Sequence, residues 1–244
     1  MKQQYEVKRS NNIRILSDLQ SLANRRHAVA ASRYFKTGKG EYGEGDLFIG
    51  LRVPEQRTIA KKYIGLPLAD IVQLLHSPIH EYRQTALYIM TYQWKRADSH
   101  QRQLLYDAYL QNTAHINNWD LVDCSAPTIV GGYLIDTKEK RKLLYTLAVS
   151  RSLWERRIAV LSTLAFIRDR DFADAFAVAE LLLSDTEDLI HKAVGWMLRE
   201  IGKKDPAAEE AFLKKHCRTM PRTMLRYAIE KFPSAKRAMY LSRT

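Results

Sequence analysis

The amino-acid sequence predicts an all-α protein, a curved right-handed solenoid (an α-α superhelix) of HEAT-like helical hairpin repeats. Glycine and proline, which weaken helix interiors, are sparse, at 10 and 7 of 244 residues. From about Pro67 onwards, apolar residues recur at helical spacing. Consecutive pairs of these segments repeat at roughly 35 to 40 residues, the period of degenerate HEAT-type hairpins. A compact helical bundle is the alternative fold.

Short connections that carry helix caps and breakers separate the predicted helices. Ser77-Pro78, Asp136-Thr137 and Asp205-Pro206 are examples. Helical pairs joined in this way stack into a solenoid with a concave groove, and a basic groove fits a nucleic-acid duplex. The predicted helices cover residues 68–76, 80–95, 100–112, 118–132, 137–149, 153–168, 171–184, 187–203, 206–216 and 221–241.

The N-terminal stretch has a different composition. Four of the ten glycines lie between Gly38 and Gly45, which predicts a flexible loop between an N-terminal helix and the repeats. The loop is not a Walker A motif, because no glycine in it is followed by Lys-Ser or Lys-Thr. We therefore expect a single domain over 1–244, in which residues 1–66 form N-terminal helices and a connector, and 67–244 form repeats around a basic concave groove.

The charge balance indicates a polyanionic partner. Thirty-nine Lys and Arg against 27 Asp and Glu give a net charge of +12, which favours nucleic acid, although a charge that serves solubility is the alternative.

The N-terminus lacks an apolar signal core, and no apolar stretch approaches the ~20 residues that cross a bilayer. We expect no membrane association and a location in the bacterial cytosol or nucleoid. Cys124 and Cys217 form no C-x-x-C motif, so neither a disulfide framework nor a zinc site is predicted.

The segment 187–203 combines a core-facing stripe with a second stripe of cations around a tryptophan. Phosphates attract the cations, and an indole face attracts a cationic or stacked base. The alternative is a tryptophan covered by the next helix. On a helical wheel, the second stripe consists of Lys192, Trp196, Arg199 and Lys203. We predict that its three cations bind DNA.

A second candidate segment places a carboxylate beside an indole. Trp119 and Asp123 are four residues apart and share one helix face. Pro127 cannot donate a hydrogen bond to the carbonyl of Asp123, so the helix should kink or break beside this carboxylate. Local irregularity of this kind often accompanies function. The alternative makes Asp120 or Asp123 a helix-cap residue.

Arg157 falls on the apolar face of the predicted helix 153–168. A buried guanidinium needs an anionic partner, and both Asp123 and a DNA phosphate are candidates.

His76 and His80 have the i, i+4 spacing of metal ligands, but Pro78 interrupts the helix between them. We predict no metal and no cofactor. Because G-x-S-x-G and Ser-His-Asp patterns are also absent, catalysis would depend on carboxylate electrostatics.

Four stretches together make the chain recognisable, from about Arg33 to the C-terminal helices. They are residues 32–36 with 45–54, 119–123, 154–157 and 193–200. In this order they resemble the bacterial DNA alkylation repair family of HEAT-like-repeat glycosylases, the AlkD type. One departure is Asn118, which precedes Trp119 where the family can have a second tryptophan, and it puts the substrate range in question. The resemblance implies roles for Asp123 as the catalytic aspartate, Trp119 and Trp196 as the aromatic pair that flanks the lesion, Arg157 and Arg199 as DNA-contacting arginines, and Tyr34 as a tyrosine near the DNA.

The function implied by this resemblance is hydrolysis of the N-glycosidic bond of cationic N3- or N7-alkylated purines in double-stranded DNA. We expect a monofunctional enzyme, because no lysine adjoins the Trp-x-x-x-Asp motif to form a Schiff base. We also expect a monomer without an obligate protein partner. Whether the base is flipped into a pocket or excised within the duplex stays open. A non-catalytic protein that binds distorted or branched DNA and a HEAT-type protein scaffold are the alternatives.

Overall fold

The computed structural model describes residues 14–242, and its regular structure in that range is helical apart from one isolated parallel bridge between Leu47 and Ile79. The predicted all-α class is confirmed. Within the described range, no helix is long and apolar enough to cross a membrane. Contacts divide the chain into two compact units, one ending at Ser125 and one beginning at Ala126. The single domain and the basic concave groove of 67–244 stay predictions.

The first unit is built around one buried helix. Thirteen of its fifteen residues are buried, and the helices before and after it pack on its sides. The helices are α1 (14–21), α2 (Arg25–Tyr34), α3 (Val53–Lys62), α4 (Leu68–Leu75), the central α5 (His80–Trp94), α6 (Ser99–Gln111) and α7 (Trp119–Asp123), with a 3-10 turn at Thr113–His115.

The glycine-rich connector between α2 and α3 is fixed at its C-terminal end. The Glu81 carboxylate, at the start of α5, accepts backbone N–H bonds from Ile49, Gly50 and Leu51 at 2.7 to 3.2 Å. Gly50 has a positive φ of 84°, and a Cβ there would lie 2.1 Å from the Asn24 carbonyl oxygen. This end of the connector is held in place, because a buried carboxylate needs such donors. The flexibility predicted for the glycine-rich part between Gly38 and Gly45 stays a prediction.

The second unit stacks helices around two long ones. α10 packs on α8, α9 and α12, and α12 packs on α13 and α14. Gly195 allows the close approach of α14, since a Cβ would lie 2.4 Å from the Met224 carbonyl oxygen. The helices are α8 (Ala126–Asp136), α9 (Lys142–Ala148), α10 (Leu153–Arg168), α11 (Ala173–Leu181), α12 (Asp188–Lys204), α13 (Pro206–His216), α14 (Arg222–Ala228) and α15 (Ser234–Leu241), with 3-10 turns at Lys138–Arg141 and Ile229–Lys231.

Two predicted helices are divided in the structure. The segment 118–132 separates into α7 and α8 at Cys124 and Ser125, which confirms the break expected beside Asp123. The segment 221–241 separates before Pro233, because Phe232 adopts the extended conformation that a residue preceding proline prefers.

Glu209 on α13 gives the second unit a pH-dependent stability. It is 2% exposed, and Oε1 has no hydrogen-bond partner within the described part of the chain. Burial raises the pKa of this carboxyl from its usual 4.5 to about 8, because the effect of burial is larger than the opposing effect of the charges of Lys236 and Arg199. The unfolded chain loses its proton near pH 4.5 whereas the folded chain keeps it to about pH 8. Stability should therefore fall as pH rises between these two values.

We expect Glu209→Gln to raise Tm at pH 7.5 by a few degrees and to change it little at pH 4.5, because the amide matches the neutral carboxyl without its ionisation. Thermal melts over this pH range provide the measurement. Glu210→Gln on the same helix is the control and should lower Tm instead, since Glu210 pairs with Lys236 at 2.8 Å. Equal effects of the Glu209 variant at both pH values would contradict a neutral Glu209.

Candidate active site and nucleic-acid interface

The short helix α7 carries Trp119 and Asp123 one turn apart, and both side chains are half-buried. The helix is capped by Asn118, whose side-chain oxygen accepts the Trp119 N–H at 2.8 Å. Asp120 accepts the Leu121 N–H through Oδ1 at 2.9 Å. The cap is therefore Asn118, and the alternative in which Asp120 or Asp123 caps the helix is wrong for α7. Asp123 is the last helical residue before the break.

Aromatic rings from the end of α2 meet Trp119. The Tyr34 ring lies edge-on to the indole at a centroid distance of 6.0 Å, and the Phe35 ring stacks on it at 5.4 Å. Tyr34 is 66% exposed, so this aromatic group opens to solvent. The structure thus brings together Tyr34 and Trp119, which the sequence suggested separately. We call Tyr34, Phe35 and Trp119 the aromatic wall.

Behind the aromatic wall, His80 lies between two carboxylates. Its Nδ1 is 3.0 Å from Asp46 Oδ2, and its Nε2 is 2.9 Å from Asp120 Oδ2. Arg83 adds a second cation, at 2.6 Å from Asp46 Oδ1. Burial alone would lower the pKa of His80, but the charge of Asp120 and the two hydrogen bonds outweigh it and raise the pKa to about 9. His80 is therefore an imidazolium at neutral pH. We call these four residues the His80 cluster.

The structure gives the two histidines of the metal alternative separate partners. Both ring nitrogens of His80 are engaged by the carboxylates of its cluster. The His76 ring stacks on His115 at 4.1 Å, and its Nε2 lies 2.5 Å from the Asn112 side-chain oxygen. The two imidazoles therefore do not converge on one point as metal ligands would.

Arg57 on α3 is an exposed cation in the same unit, and sequence reasoning did not select it. Its guanidinium lies over the Tyr88 ring, 4.8 Å from the centroid. Burial raises the pKa of the Tyr88 phenol, so this partner is neutral at physiological pH. Arg57 also acts electrostatically on the half-buried Cys124, the residue after Asp123. A positive charge that the phenol does not neutralise thus lies close to the end of α7.

In the second unit, Arg157 is almost completely buried, with 5% exposure. Its Nη1 donates to the Leu189 carbonyl oxygen at 2.5 Å, in the first turn of α12. The predicted burial on the apolar face is therefore confirmed. The structure also brings Arg157 to the helix that carries the predicted basic stripe. A pairing with Asp123 or with a DNA phosphate stays a prediction.

The stripe on α12 is not a row of free cations. The Trp196 indole is half-buried, and its N–H donates to Glu200 at 3.0 Å. Each cation of the stripe has a carboxylate partner. The pairs are Lys192 with Asp188 at 2.6 Å, Arg199 with Glu230, and Lys203 with Glu200 at 2.6 Å. Acidic neighbours thus largely neutralise the basic surface expected from the sequence, because each cation of the stripe is in an ion pair.

The comparison with protein-family models identifies one family. The model of the DNA alkylation repair enzyme family matches residues 15–232. No curated protein sequence matches the chain significantly. Among solved structures, the chain is similar to a predicted DNA alkylation repair enzyme from Enterococcus faecalis, with a TM-score of 0.68, 18% identity and coverage of 87% of this chain and 97% of that one. It is also similar to AlkD2 from Streptococcus mutans, with a TM-score of 0.52, 17% identity and coverage of 86% and 99%.

At these identities the solved structures show the fold alone, which is the helical-repeat fold of those proteins. The family model covers well over half of the chain, and it includes α7, the aromatic wall and the α12 stripe. The chain therefore belongs to the DNA alkylation repair enzyme family.

Proposed function

We propose that this protein is a monofunctional DNA glycosylase that hydrolyses the N-glycosidic bond of cationic N3- and N7-alkylated purines in duplex DNA. The observation that carries the proposal is the arrangement on α7. There a carboxylate, Asp123, ends a short helix whose first residue, Trp119, belongs to an aromatic wall open to solvent. Membership of a DNA alkylation repair family supplies the substrate class.

The proposed chemistry needs few groups. Alkylation at N3 or N7 gives the purine a positive charge, so the base leaves without strong acid catalysis. The remaining requirements are to stabilise the oxocarbenium-like sugar and to position a water at C1′. A single carboxylate performs both roles by placing negative charge beside the developing cation and by accepting the proton of the water. Asp123 is the residue we assign to them.

The aromatic groups favour the damaged nucleotide over an undamaged one. A cationic base is attracted to the face of an indole, whereas a neutral base gains only the stacking contribution. Trp119 and Tyr34 supply this surface in the first unit, and Trp196 supplies a second indole on α12. The proposal assigns lesion selectivity to these side chains rather than to a hydrogen-bonded base pocket.

Phosphate binding is assigned to cations in both units. Arg57 in the first unit is exposed, and its side-chain partner is a neutral phenol. In the second unit, the proposal assigns the same role to Arg157, Lys192, Arg199 and Lys203. Because the stripe cations begin in ion pairs, a phosphate has to replace carboxylates there, which lowers the net gain per contact.

A gel assay of base release separates this function from non-catalytic binding of distorted DNA. The substrate is a duplex oligonucleotide with one N7-methylguanine, and strand cleavage after alkali treatment reports each abasic site. Binding to the same duplex is measured in parallel. Tight binding without base release would favour the non-catalytic alternative, and neither activity would favour a protein scaffold.

We expect base release to survive excess EDTA and reducing agent, because every group in the proposed chemistry is a protein side chain or water. Single-turnover rates with and without chelator provide the measurement. A known metal-dependent nuclease in the same buffer is the control for chelation. Loss of excision that one divalent ion restores would contradict this mechanism.

A further inference from the structure

The orientation of α7 cannot come from the helix itself. Five residues are too few for a stable isolated helix, so tertiary contacts decide where its side chains point. Asp120 lies between Trp119 and Asp123 in this helix, and both of its carboxylate oxygens are engaged. Oδ1 accepts the Leu121 N–H, and Oδ2 lies at hydrogen-bond distance from His80 Nε2.

Two further side-chain hydrogen bonds tie the same helix to the same place. Gln84 Nε2 donates to Asp120 Oδ2 at 2.7 Å. The capping residue Asn118 donates to Asp46 Oδ2 at 3.3 Å. The first turn of α7 is thus connected to His80 directly through Asp120, and to Asp46, the other carboxylate on His80, through Asn118.

The bridge depends on the positive charge of the imidazole. His80 and Arg83 carry two positive charges, and Asp46 and Asp120 carry two negative charges, all on side chains that are 12% exposed or less. A neutral residue in place of His80 would leave two largely buried carboxylates with one arginine, an unfavourable arrangement in which the carboxylates repel each other. The raised pKa of His80 supports the charged form. The adjacent Glu81 is directed to backbone amides instead.

We infer that His80 is a positioning residue for base excision: together with Asp46 it holds Asp120 in place, and through Asp120 it sets the orientation of α7 so that Trp119 and Asp123 act on one nucleotide. This inference rests on the proposed function for what α7 is positioned to do. His80 itself is 1% exposed and does not reach a substrate.

The kinetic test uses His80→Gln, which keeps one hydrogen-bond donor and removes the charge. We expect the single-turnover rate of base release to fall about 30-fold or more, because small displacements of reacting groups have effects of this size. Affinity for abasic duplex should stay within about threefold, since no phosphate contact is lost. His115→Gln is the matched control, a half-buried histidine outside the His80 cluster, and should retain the parent rate.

Rescue separates positioning from a loss of folding. In the double variant His80→Gln with Asp120→Asn, an amide pair replaces the ion pair and Asp46 keeps Arg83 as its partner. We expect this variant to recover about tenfold or more of the lost rate. Rates that follow only the thermal stability of each variant, without recovery in the double variant, would overturn the inference.

A spectroscopic readout tests α7 without any catalysis. Fluorine NMR of fluorotryptophan-labelled protein gives one resonance for each of the four tryptophans, and Trp119→Phe assigns the one of interest. We expect His80→Gln to shift or broaden the Trp119 resonance and to leave the other three unchanged. If that variant does not fold, Asp120→Asn gives the same test, because it keeps the pair between His80 and Asp46.

The two readouts fail in different ways. A parent protein that releases no base would refute the proposed function, and the Trp119 resonance would still report whether His80 positions α7. An unchanged Trp119 resonance in a folded His80→Gln protein, with a rate within about threefold of the parent, would overturn the positioning role and leave the proposed function intact.

Discussion

Asp123→Asn is expected to reduce the single-turnover rate of base release by at least about 100-fold, the scale on which loss of one electrostatic transition-state contact acts. The amide is nearly isosteric with the carboxylate, so α7 and its break at Cys124 should persist. What is lost is the negative charge beside the sugar cation and the acceptor for the proton of the attacking water. Binding of abasic-site DNA should remain within a few-fold of the parent, because no cation is removed.

The matched control for this variant is Asp107→Asn on α6. Asp107 is also half-buried in the first unit, and among residues 14–242 no ion pair or side-chain hydrogen bond engages it. Both substitutions remove one negative charge and should therefore raise general DNA affinity to a similar, small extent. Only the Asp123 variant should lose excision. An Asp123→Asn protein that excises N7-methylguanine at the parent rate would exclude Asp123 as the catalytic group.

Helices were predictable wherever apolar periodicity and caps acted together. The segment 153–168 coincides with α10, which Ser152 caps by accepting the Glu155 N–H. The long prediction 221–241 was wrong in its middle, because the apolar pattern continued across Pro233 and hid a break that the proline itself indicates. Periodicity identifies a buried face, but it does not show where the backbone leaves the helix.

The His80 cluster was not predictable in the same way. Asp46, His80 and Asp120 are 34 and 40 residues apart, so no local pattern relates them. His80 drew attention only through its spacing from His76, which the structure shows to be unrelated to its partners. One signal was available in the sequence. This signal was the presence of a second carboxylate, Asp120, beside Asp123 in the Trp-Asp-Leu-Val-Asp motif. Helix capping was the only role that the sequence suggested for it.

The α12 stripe shows the opposite limitation, because the sequence identified its cations but the prediction did not take account of the carboxylates that pair with them. Asp188 and Glu200 are on the same helix and could have been placed on the wheel four residues before Lys192 and three before Lys203. Glu230 comes from the turn after α14, and only the tertiary structure shows that it reaches Arg199. A wheel that counts only cations therefore overestimates the positive potential of such a surface.

The ion pair between Arg199 and Glu230 determines how we expect the stripe to bind DNA. Glu230→Gln should tighten binding to damaged and undamaged duplex by about three- to tenfold at low salt, because Arg199 then binds a phosphate without first leaving a carboxylate. The slope of log affinity against log salt should become steeper, by about one in magnitude. Arg199→Ala should have the reverse effect on both quantities, since it removes a phosphate contact, whereas Glu230 keeps its ion pair with Lys231 at 3.1 Å.

Trp196→Ala on the same helix should instead weaken binding more on lesion DNA than on undamaged DNA, because an indole face attracts the cationic base and releases few counterions. Salt titrations on paired oligonucleotides measure all three variants. Glu180→Gln is a close control for Glu230→Gln: the two side chains are 43% and 44% exposed, and each pairs with a cation of the second unit. If Glu180→Gln tightened DNA binding as much as Glu230→Gln, the gain would come from net charge alone, and Arg199 would not be a DNA contact.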